Sequence, residues 1–161
     1  MKTTNHKYEI TDIAHEQYPF LHRIRALRNI GSEVKVGDLG GFVESESNLS
    51  YEPDDDAWIF DNAIACNGAY VDQDASLRDC AVACDNAYIS RNAVLSGYAR
   101  AEDDSYIRGA ALSEHARASG QSMILQSATS KCAPVLSGLW QSVRRCAPYR
   151  DDGNRQRRRN L

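Results

Sequence analysis

The chain has 161 residues, and 42% of them are hydrophobic, 8% aromatic and 25% charged. This length predicts one domain with at most a small appendage. Many of the apolar residues are alanine, so we do not expect a broad core of large side chains. No apolar stretch is long enough to span a membrane, and the N-terminus lacks the apolar segment of a secretory signal. We therefore expect a cytoplasmic protein without a membrane partner.

The net charge of −3 conceals two regions of opposite charge. Residues 1–143 hold 12 Lys and Arg against 20 Asp and Glu, a net of −8, whereas residues 144–161 hold seven Arg against two Asp, a net of +5. Because an acidic body repels nucleic acid, we expect nucleic-acid contact only through the basic tail, unless the acidic surface imitates nucleic acid. The alternative is that both sets of charges are simply solvated.

The N-terminal part of the chain, residues 1–56, predicts a small β cap. Residues 8–11 and 21–28 have the composition of strands, and a turn is expected at 31–32. Residues 43–49 follow with six-residue spacing, so we expect an entry coil that covers one end of a repeat domain. Residues 50–56, with Pro53 and three consecutive aspartates, predict an exposed loop.

Residues 57–128 contain a repeat of six residues. A small residue recurs at every sixth position: Ala57, Ala63, Ala69, Ala75, Ala81, Ala87, Ala93, Ala99 and Ser105. Two positions later runs a second apolar series: Ile59, Ala65, Val71, Leu77, Ala83, Ile89, Leu95, Ala101 and Ile107. One step is then shortened by one residue, and both series resume at Ala110 and Leu112. A helix would spread these positions around its axis, whereas a short strand with a corner keeps them on one side.

Each six-residue unit therefore predicts a strand followed by a corner. The units resemble the hexapeptide repeat of left-handed parallel β-helices, in which three units build one triangular coil of 18 residues. In the second series alanine returns at intervals of 18, at Ala65, Ala83 and Ala101, as expected if alanine lines one of three sides. We expect an all-β fold, a left-handed parallel β-helix over residues 57–128 with stacked apolar layers along its axis.

The repeat stops after residue 128. Apolar residues at helical spacing predict a closing helix over residues 129–147: Val135, Leu136, Leu139, Trp140 and Val143. Residues 148–161 are basic and unpatterned, which predicts a disordered tail.

Four strings make the resemblance narrower: residues 23–28 (RIRALR), 36–44 (VGDLGGFVE), 48–50 (NLS) and 57–59 (AWI). They are similar to uncharacterised hexapeptide-repeat proteins of enterobacteria and their prophages, which are sometimes labelled acyltransferases from fold alone. The resemblance implies a phage-associated protein. Beyond residue 128 the chain departs from that pattern.

His115 is the candidate that this resemblance raises for catalysis. Hexapeptide-repeat acyltransferases place a catalytic histidine and the acyl carrier between neighbouring prisms of a trimer, where a general base deprotonates the acceptor hydroxyl or amine. His115 is the only histidine inside the repeat, but the chain lacks the long loop that such enzymes extrude from a coil. The alternative is a histidine exposed at a turn.

The tyrosines of the repeat predict a binding surface. Tyr70, Tyr88 and Tyr106 follow the small position at intervals of 18, where alternation points side chains outward, and Met123 continues the line. Such an aromatic stripe is typical of an interface, and the alternative is a ring ladder that only stabilises the coils. The remaining candidate binding residues are Arg100 and Arg117 on the neighbouring side and Trp140 of the predicted helix.

Cys66 and Cys84 are also 18 residues apart and are expected to lie one above the other as inert packing. The five cysteines are odd in number and show no C-x-x-C spacing, and neither Cys66 nor Cys84 has a histidine or carboxylate at ligand spacing. We therefore expect reduced thiols, with no metal site and no disulfide scaffold.

Two functional classes follow. The first is a non-enzymatic, phage- or prophage-associated binding or scaffold protein without a cofactor. It would use a rigid β-helix face to form a homo-oligomer, most simply a trimer, or to dock on a host protein as an inhibitor or nucleic-acid mimic. The second is an acyltransferase that depends on acetyl-CoA. The missing loop and the lack of a paired acid and base favour the first class.

Overall fold

The computed structural model describes residues 4–125 and the backbone of two further strands, Thr129–Ser130 and Val135–Leu136. The fold is all-β, a parallel β-helix of about 5 turns with a spacing of about 18 residues per turn. The predicted fold class is confirmed. None of the helical structure in the described part of the chain is long and apolar enough to cross a membrane.

Three antiparallel strands form the N-terminal cap: β1 (Tyr8–Ala14), β2 (His22–Ala26) and β3 (Leu39–Val43). A 3₁₀ helix, Glu46–Asn48, follows them. Strand β3 then pairs in parallel with β5 (Ile64–Ala65), so the cap continues one side of the β-helix. Val43 lies opposite Ala65 and Leu49 bridges Val71, as an entry coil requires.

The strands of the β-helix lie on three sides, which we name after residues characteristic of each. The alanine sheet continues from β5 through β8 (Val82–Ala83), β11 (Arg100–Ala101), β14 (Arg117–Ala118) and β17 (Val135–Leu136). The leucine sheet consists of β4 (Trp58–Ile59), β7 (Ser76–Leu77), β10 (Val94–Leu95), β13 (Ala111–Leu112) and β16 (Thr129–Ser130). The tyrosine sheet consists of β6 (Tyr70–Val71), β9 (Tyr88–Ser90), β12 (Tyr106–Arg108) and β15 (Met123–Ile124).

The two apolar series of the repeat form the core. Every member from Ala57 to Ala99 and from Ile59 to Ile107 is 0% exposed. Residues of like size stack in register, with Ala83 opposite Ala65 on one side and Ala101 on the other. The axis is therefore filled evenly by the side chains that the sequence pattern selects.

The corners connect consecutive turns through their side chains. Asp79 and Asp103 adopt left-handed backbone conformations, with φ of 57° and 58°, which aspartate tolerates better than most residues. The N–H of Gly97 donates a hydrogen bond to Asp79 Oδ2 at 2.9 Å, and the N–H of Gly120 donates one to Asp103 Oδ2 at 2.8 Å. The turn-forming residues therefore also link each turn to the next.

Two expectations need correction. Val135 and Leu136 form strand β17, which pairs with Arg117 and Ala118, instead of beginning a closing helix. They lie 18 residues after those two, so the repeat period brings them to the open edge of the alanine sheet, where pairing satisfies their backbone groups. The pairing of the β-helix thus extends past residue 128. Leu139, Trp140, Val143 and the basic tail at 148–161 lie outside the described residues.

The second correction concerns residues 50–56, which were expected to form an exposed loop. Pro53 and Asp54 are exposed, but Ser50 and Asp55 are buried. Asp55 accepts hydrogen bonds from three backbone N–H groups, those of Ala57 and residues 73 and 74. The loop is therefore anchored at its end by a buried carboxylate.

Replacing Ser105 with alanine is expected to stabilise the protein. Ser105 occupies a small position that alanine fills in earlier turns, is 1% exposed, and its hydroxyl has no hydrogen-bond partner within the described part of the chain. Burying such a hydroxyl costs about 1 to 3 kcal/mol, so Ser105→Ala should raise the free energy of unfolding by about 1 kcal/mol in urea denaturation. Ser45→Ala is the contrasting control, because Ser45 caps the 3₁₀ helix and its loss should destabilise. A lower midpoint for Ser105→Ala would show that the hydroxyl has a partner.

Candidate functional site

The three tyrosines expected on one outer side stack ring against ring. Strands β6, β9 and β12 are in register, so Tyr70 lies opposite Tyr88 and Tyr88 lies opposite Tyr106. The first pair of ring centroids is 5.8 Å apart with planes at 21°, and the second pair is 5.0 Å apart with planes at 4°. Each ring is partly buried. Neighbouring rings cover the faces that they turn towards each other, and the outer edges of the rings form the surface.

An acidic residue accompanies the tyrosine column. Tyr88 donates a hydrogen bond from its hydroxyl to Asp72 Oδ2 at 2.9 Å, and Gln73 Nε2 donates to the same hydroxyl at 3.4 Å. Burial, together with the neighbouring Asp72, raises the pKa of Tyr88 to about 12, and burial also raises the pKa of Asp72. The column therefore presents a neutral phenol and a carboxylate beside its apolar edges. The spacing of Asp72, two residues after Tyr70 on the same side, was the available sequence signal.

Other residues adjoin both ends of the tyrosine column. At the cap, Asn48 donates from Nδ2 to the carbonyls of Ala69 at 2.9 Å and Asn67 at 3.1 Å, which completes the pairing next to Tyr70. At the far end Met123 lies opposite Tyr106 and continues the column.

Arg100 and Arg117 on the alanine sheet lie side by side, and the structure adds a carboxylate that sequence reasoning missed. Arg100 Nε donates to Glu102 Oε2 at 2.6 Å, and Arg117 Nε donates to Glu102 Oε1 at 2.7 Å. Burial pushes the pKa of Glu102 upward, but the hydrogen bonds from both guanidinium groups outweigh it and hold that pKa below its ordinary value. The two arginines are thus partly neutralised as an ionic unit.

His115 lies exposed at a corner. Its ring stacks on Tyr98, with centroids 5.2 Å apart and planes at 15°, and Tyr98 is itself exposed. The candidate catalytic histidine therefore contacts one tyrosine that lies outside the tyrosine column. Trp140, the last candidate binding residue, lies outside the described residues.

Two of the cysteines lie one above the other, as their spacing predicts. Cys66 and Cys84 follow the paired strands β5 and β8 and line one groove on the alanine sheet, and both thiols are free. Among residues 4–125, the histidines, cysteines and acids form no group of three or more arranged to hold a metal ion.

Comparisons with known proteins provide no assignment for these features. No protein-family model matches the sequence, and no curated protein matches it.

Proposed function

We propose that the protein is a non-enzymatic binding or scaffold protein that docks through its tyrosine sheet. The supporting observation is the column of Tyr70, Tyr88 and Tyr106, three rings stacked on one flat outer side. Tyrosine is enriched at protein interfaces because one side chain provides both apolar area and a hydroxyl. A rigid column needs little ordering when a partner binds, so more of the contact free energy is available for affinity.

The occupant we propose for this face is a second copy of the chain, in a closed trimer of parallel prisms. In a cyclic trimer of parallel rods the same side of each rod can face the three-fold axis, and the arrangement closes without leaving an open contact. The cap covers the first turns of the other two sides, through Glu33 paired with Arg78 on the leucine sheet and through the loop that carries Tyr18 and Phe20 beside the alanine sheet. The tyrosine sheet is the more available side for association.

We also propose a phage-associated role and a class of partner. The strings that resemble those of prophage hexapeptide-repeat proteins support a phage-associated role. The acidic body, with a net charge of −8 over residues 1–143, favours a basic partner or one that otherwise binds nucleic acid. The surroundings of His115 favour binding over acyl transfer, because an exposed ring stacked on Tyr98 lacks the shielding from water that acyl-transfer sites use.

Replacing both Tyr88 and Tyr106 with glutamate is expected to separate the trimer into monomers of 17.9 kDa in multi-angle light scattering. Two added charges on a stacked apolar column repel one another across the interface, whereas the inner residues Ile89 and Ile107 are untouched. The β-type circular dichroism of the parent should therefore remain. Tyr98→Glu is the matched control, since it adds one charge to an exposed tyrosine outside the column and should leave the mass unchanged.

Three outcomes would contradict the proposal. A monomeric parent protein would exclude the trimer. An unfolded double variant, with Tyr106→Lys alone still trimeric, would show that the rings only stabilise the coils. Saturable heat on titration with acetyl-CoA that is lost in His115→Ala would replace the proposal with the acyltransferase alternative.

A further inference from the structure

A groove on the alanine sheet lies on a different side of the prism from the tyrosine column. The loop between β1 and β2 carries Tyr18 and Phe20 beside strands β5 and β8, and together these enclose about 280 Å³. Ile64 and Val82 contribute apolar surface to the groove, and Arg100 contributes a guanidinium. A space of this size, a little below the usual range for ligand pockets, suits a small organic molecule.

Two thiols face this groove from neighbouring strands. Ile64 lies opposite Val82 in the parallel pairing of β5 with β8, and Cys66 and Cys84 each stand two residues further along. The N–H of Cys66 donates to the carbonyl of Ala83 at 3.0 Å, so the pairing continues to the cysteines. Adjacent strands lie about 4.8 Å apart, and disulfides need Cα separations of about 4.4 to 6.8 Å. Both side chains line the same groove, so their positions are compatible with a bond between them.

The two thiols differ in access and in surroundings. Cys66 is partly exposed, whereas Cys84 is buried and receives a hydrogen bond at 3.5 Å from Arg100 Nη2. Burial raises the pKa of Cys66, and it raises the pKa of Cys84 to about 11 although the positive charge of Arg100 opposes the rise. The more accessible Cys66 is therefore suited to react first, whereas the Cys84 sulfur lies between Arg100, which donates to it, and Asp85 Oδ2, to which it donates at 3.8 Å.

We propose that Cys66 and Cys84 form a redox pair that exchanges with small organic disulfides entering the groove and closes a disulfide between two turns of the β-helix. The Cys66 thiolate attacks one sulfur of the small disulfide, a Cys66 mixed disulfide forms, and one small thiolate leaves. The Cys84 thiolate then attacks the Cys66 sulfur, and the second small thiolate leaves. Two protein thiols lose two electrons and two protons, and one small disulfide is reduced to two thiols.

The bond would join residues that enclose one full turn of the repeat. A cross-link that closes a loop of this length restricts the unfolded chain, and it should raise Tm on the order of 5 °C. It would also remove both thiols from the groove. The pair thus couples the redox state of its surroundings to the rigidity of one side of the prism.

The test uses the full chain with Cys80, Cys132 and Cys146 changed to serine, and hydroxyethyl disulfide as the probe. After incubation at pH 8.5, chosen because thiolate content rises with pH, intact mass should fall by two hydrogens with no adduct retained. Peptide mapping should join Cys66 to Cys84, and Tm should rise and return with reductant. In the same background, Cys84→Ser should retain one adduct on Cys66, and Cys66→Ser should react far more slowly. The single variant Cys80→Ser of the parent protein serves as a control and should leave the bond unaffected.

Other results would overturn the proposal. Two separate adducts on Cys66 and Cys84 would show that the thiols do not meet. Reaction only in urea would show that the groove does not admit the disulfide in the folded protein. A cross-linked protein with a lowered Tm would show that the bond strains the two turns and that the pair is not built to close.

Discussion

Replacing Asp55 with alanine is expected to lower the free energy of unfolding by about 3 to 5 kcal/mol in urea denaturation. Asp55 Oδ1 accepts hydrogen bonds from the N–H groups of Ala57 at 2.8 Å and Asp74 at 2.9 Å, and Oδ2 accepts one from Gln73 at 2.8 Å. Hydrogen bonds to a charged acceptor contribute about 1.5 to 3 kcal/mol each, and alanine leaves all three donors without it.

The position of Asp55 explains why the effect should exceed that of an ordinary loop residue. Gln73 and Asp74 both have left-handed backbones, with φ of 52° and 66°, so the carboxylate stabilises a corner that is otherwise unfavourable. Asp55→Asn keeps one acceptor oxygen and should lose less than half as much stability. Asp54→Ala, at an exposed neighbour, should change stability by less than about 0.5 kcal/mol. Equal midpoints for Asp55→Ala and Asp54→Ala would contradict this account of the anchor.

The same carboxylate predicts a pH dependence. Burial pushes the pKa of Asp55 upward, but the N–H donors of Asp74, Ala57 and Gln73 outweigh it and lower the pKa below its ordinary value of 3.8. A lowered folded-state pKa contributes stability that is present above the unfolded value and is lost as the pH falls through the folded value. The difference in stability between the parent and Asp55→Ala should therefore be constant above about pH 5 and shrink below about pH 4.

The repeat could be predicted because its period requires the same type of residue at equivalent positions in every turn. Each small residue and each inner residue lies in the same environment as its counterpart one turn away, so a pattern such as Ala65, Ala83 and Ala101 reports a side of the prism directly. The outward position of Tyr70, Tyr88 and Tyr106 follows from the same alternation. The sequence alone could therefore predict which repeat residues point inward and which point outward.

Features that depend on one contact between distant segments could not be predicted. Asp55 stands in a run of three aspartates, and nothing local distinguishes it from its exposed neighbour Asp54. Glu102 contacts Arg117 only because two turns stack, and the groove beside Cys66 exists only because a cap loop lies there. These contacts join residues far apart in the chain, and each occurs once.

The C-terminal strand shows how two periods can compete. Val135, Leu136, Leu139, Trp140 and Val143 fit helical spacing, but the first two also fit the 18-residue period of the alanine sheet. An open sheet edge offers unpaired backbone groups, so pairing with Arg117 and Ala118 satisfies residues 135–136. Local periodicity carries no information about that edge.

Ala83→Leu is expected to lower the free energy of unfolding by roughly 3 kcal/mol, since extra methylene groups in a packed axis force strain. Ala83 is 0% exposed, and Ala65 and Ala101 lie directly opposite it in the turns on either side. Because each turn is closed by its own short strands and corners, the walls cannot move apart to make room for a larger side chain. The urea midpoint measures the loss, and circular dichroism should retain its β-type shape.

Val82→Leu is the matched control for this substitution. Val82 precedes Ala83 on strand β8 and points outward, so the same leucine there should change stability by less than about 0.5 kcal/mol. Adding Ile89→Ala, on the next side of the same turn, to Ala83→Leu should recover part of the lost stability, because the volume added on one side is removed on another. Equal midpoints for Ala83→Leu and Val82→Leu would show that the axis of the prism has room for a larger side chain beside Ala83. No recovery in the double variant would show the same.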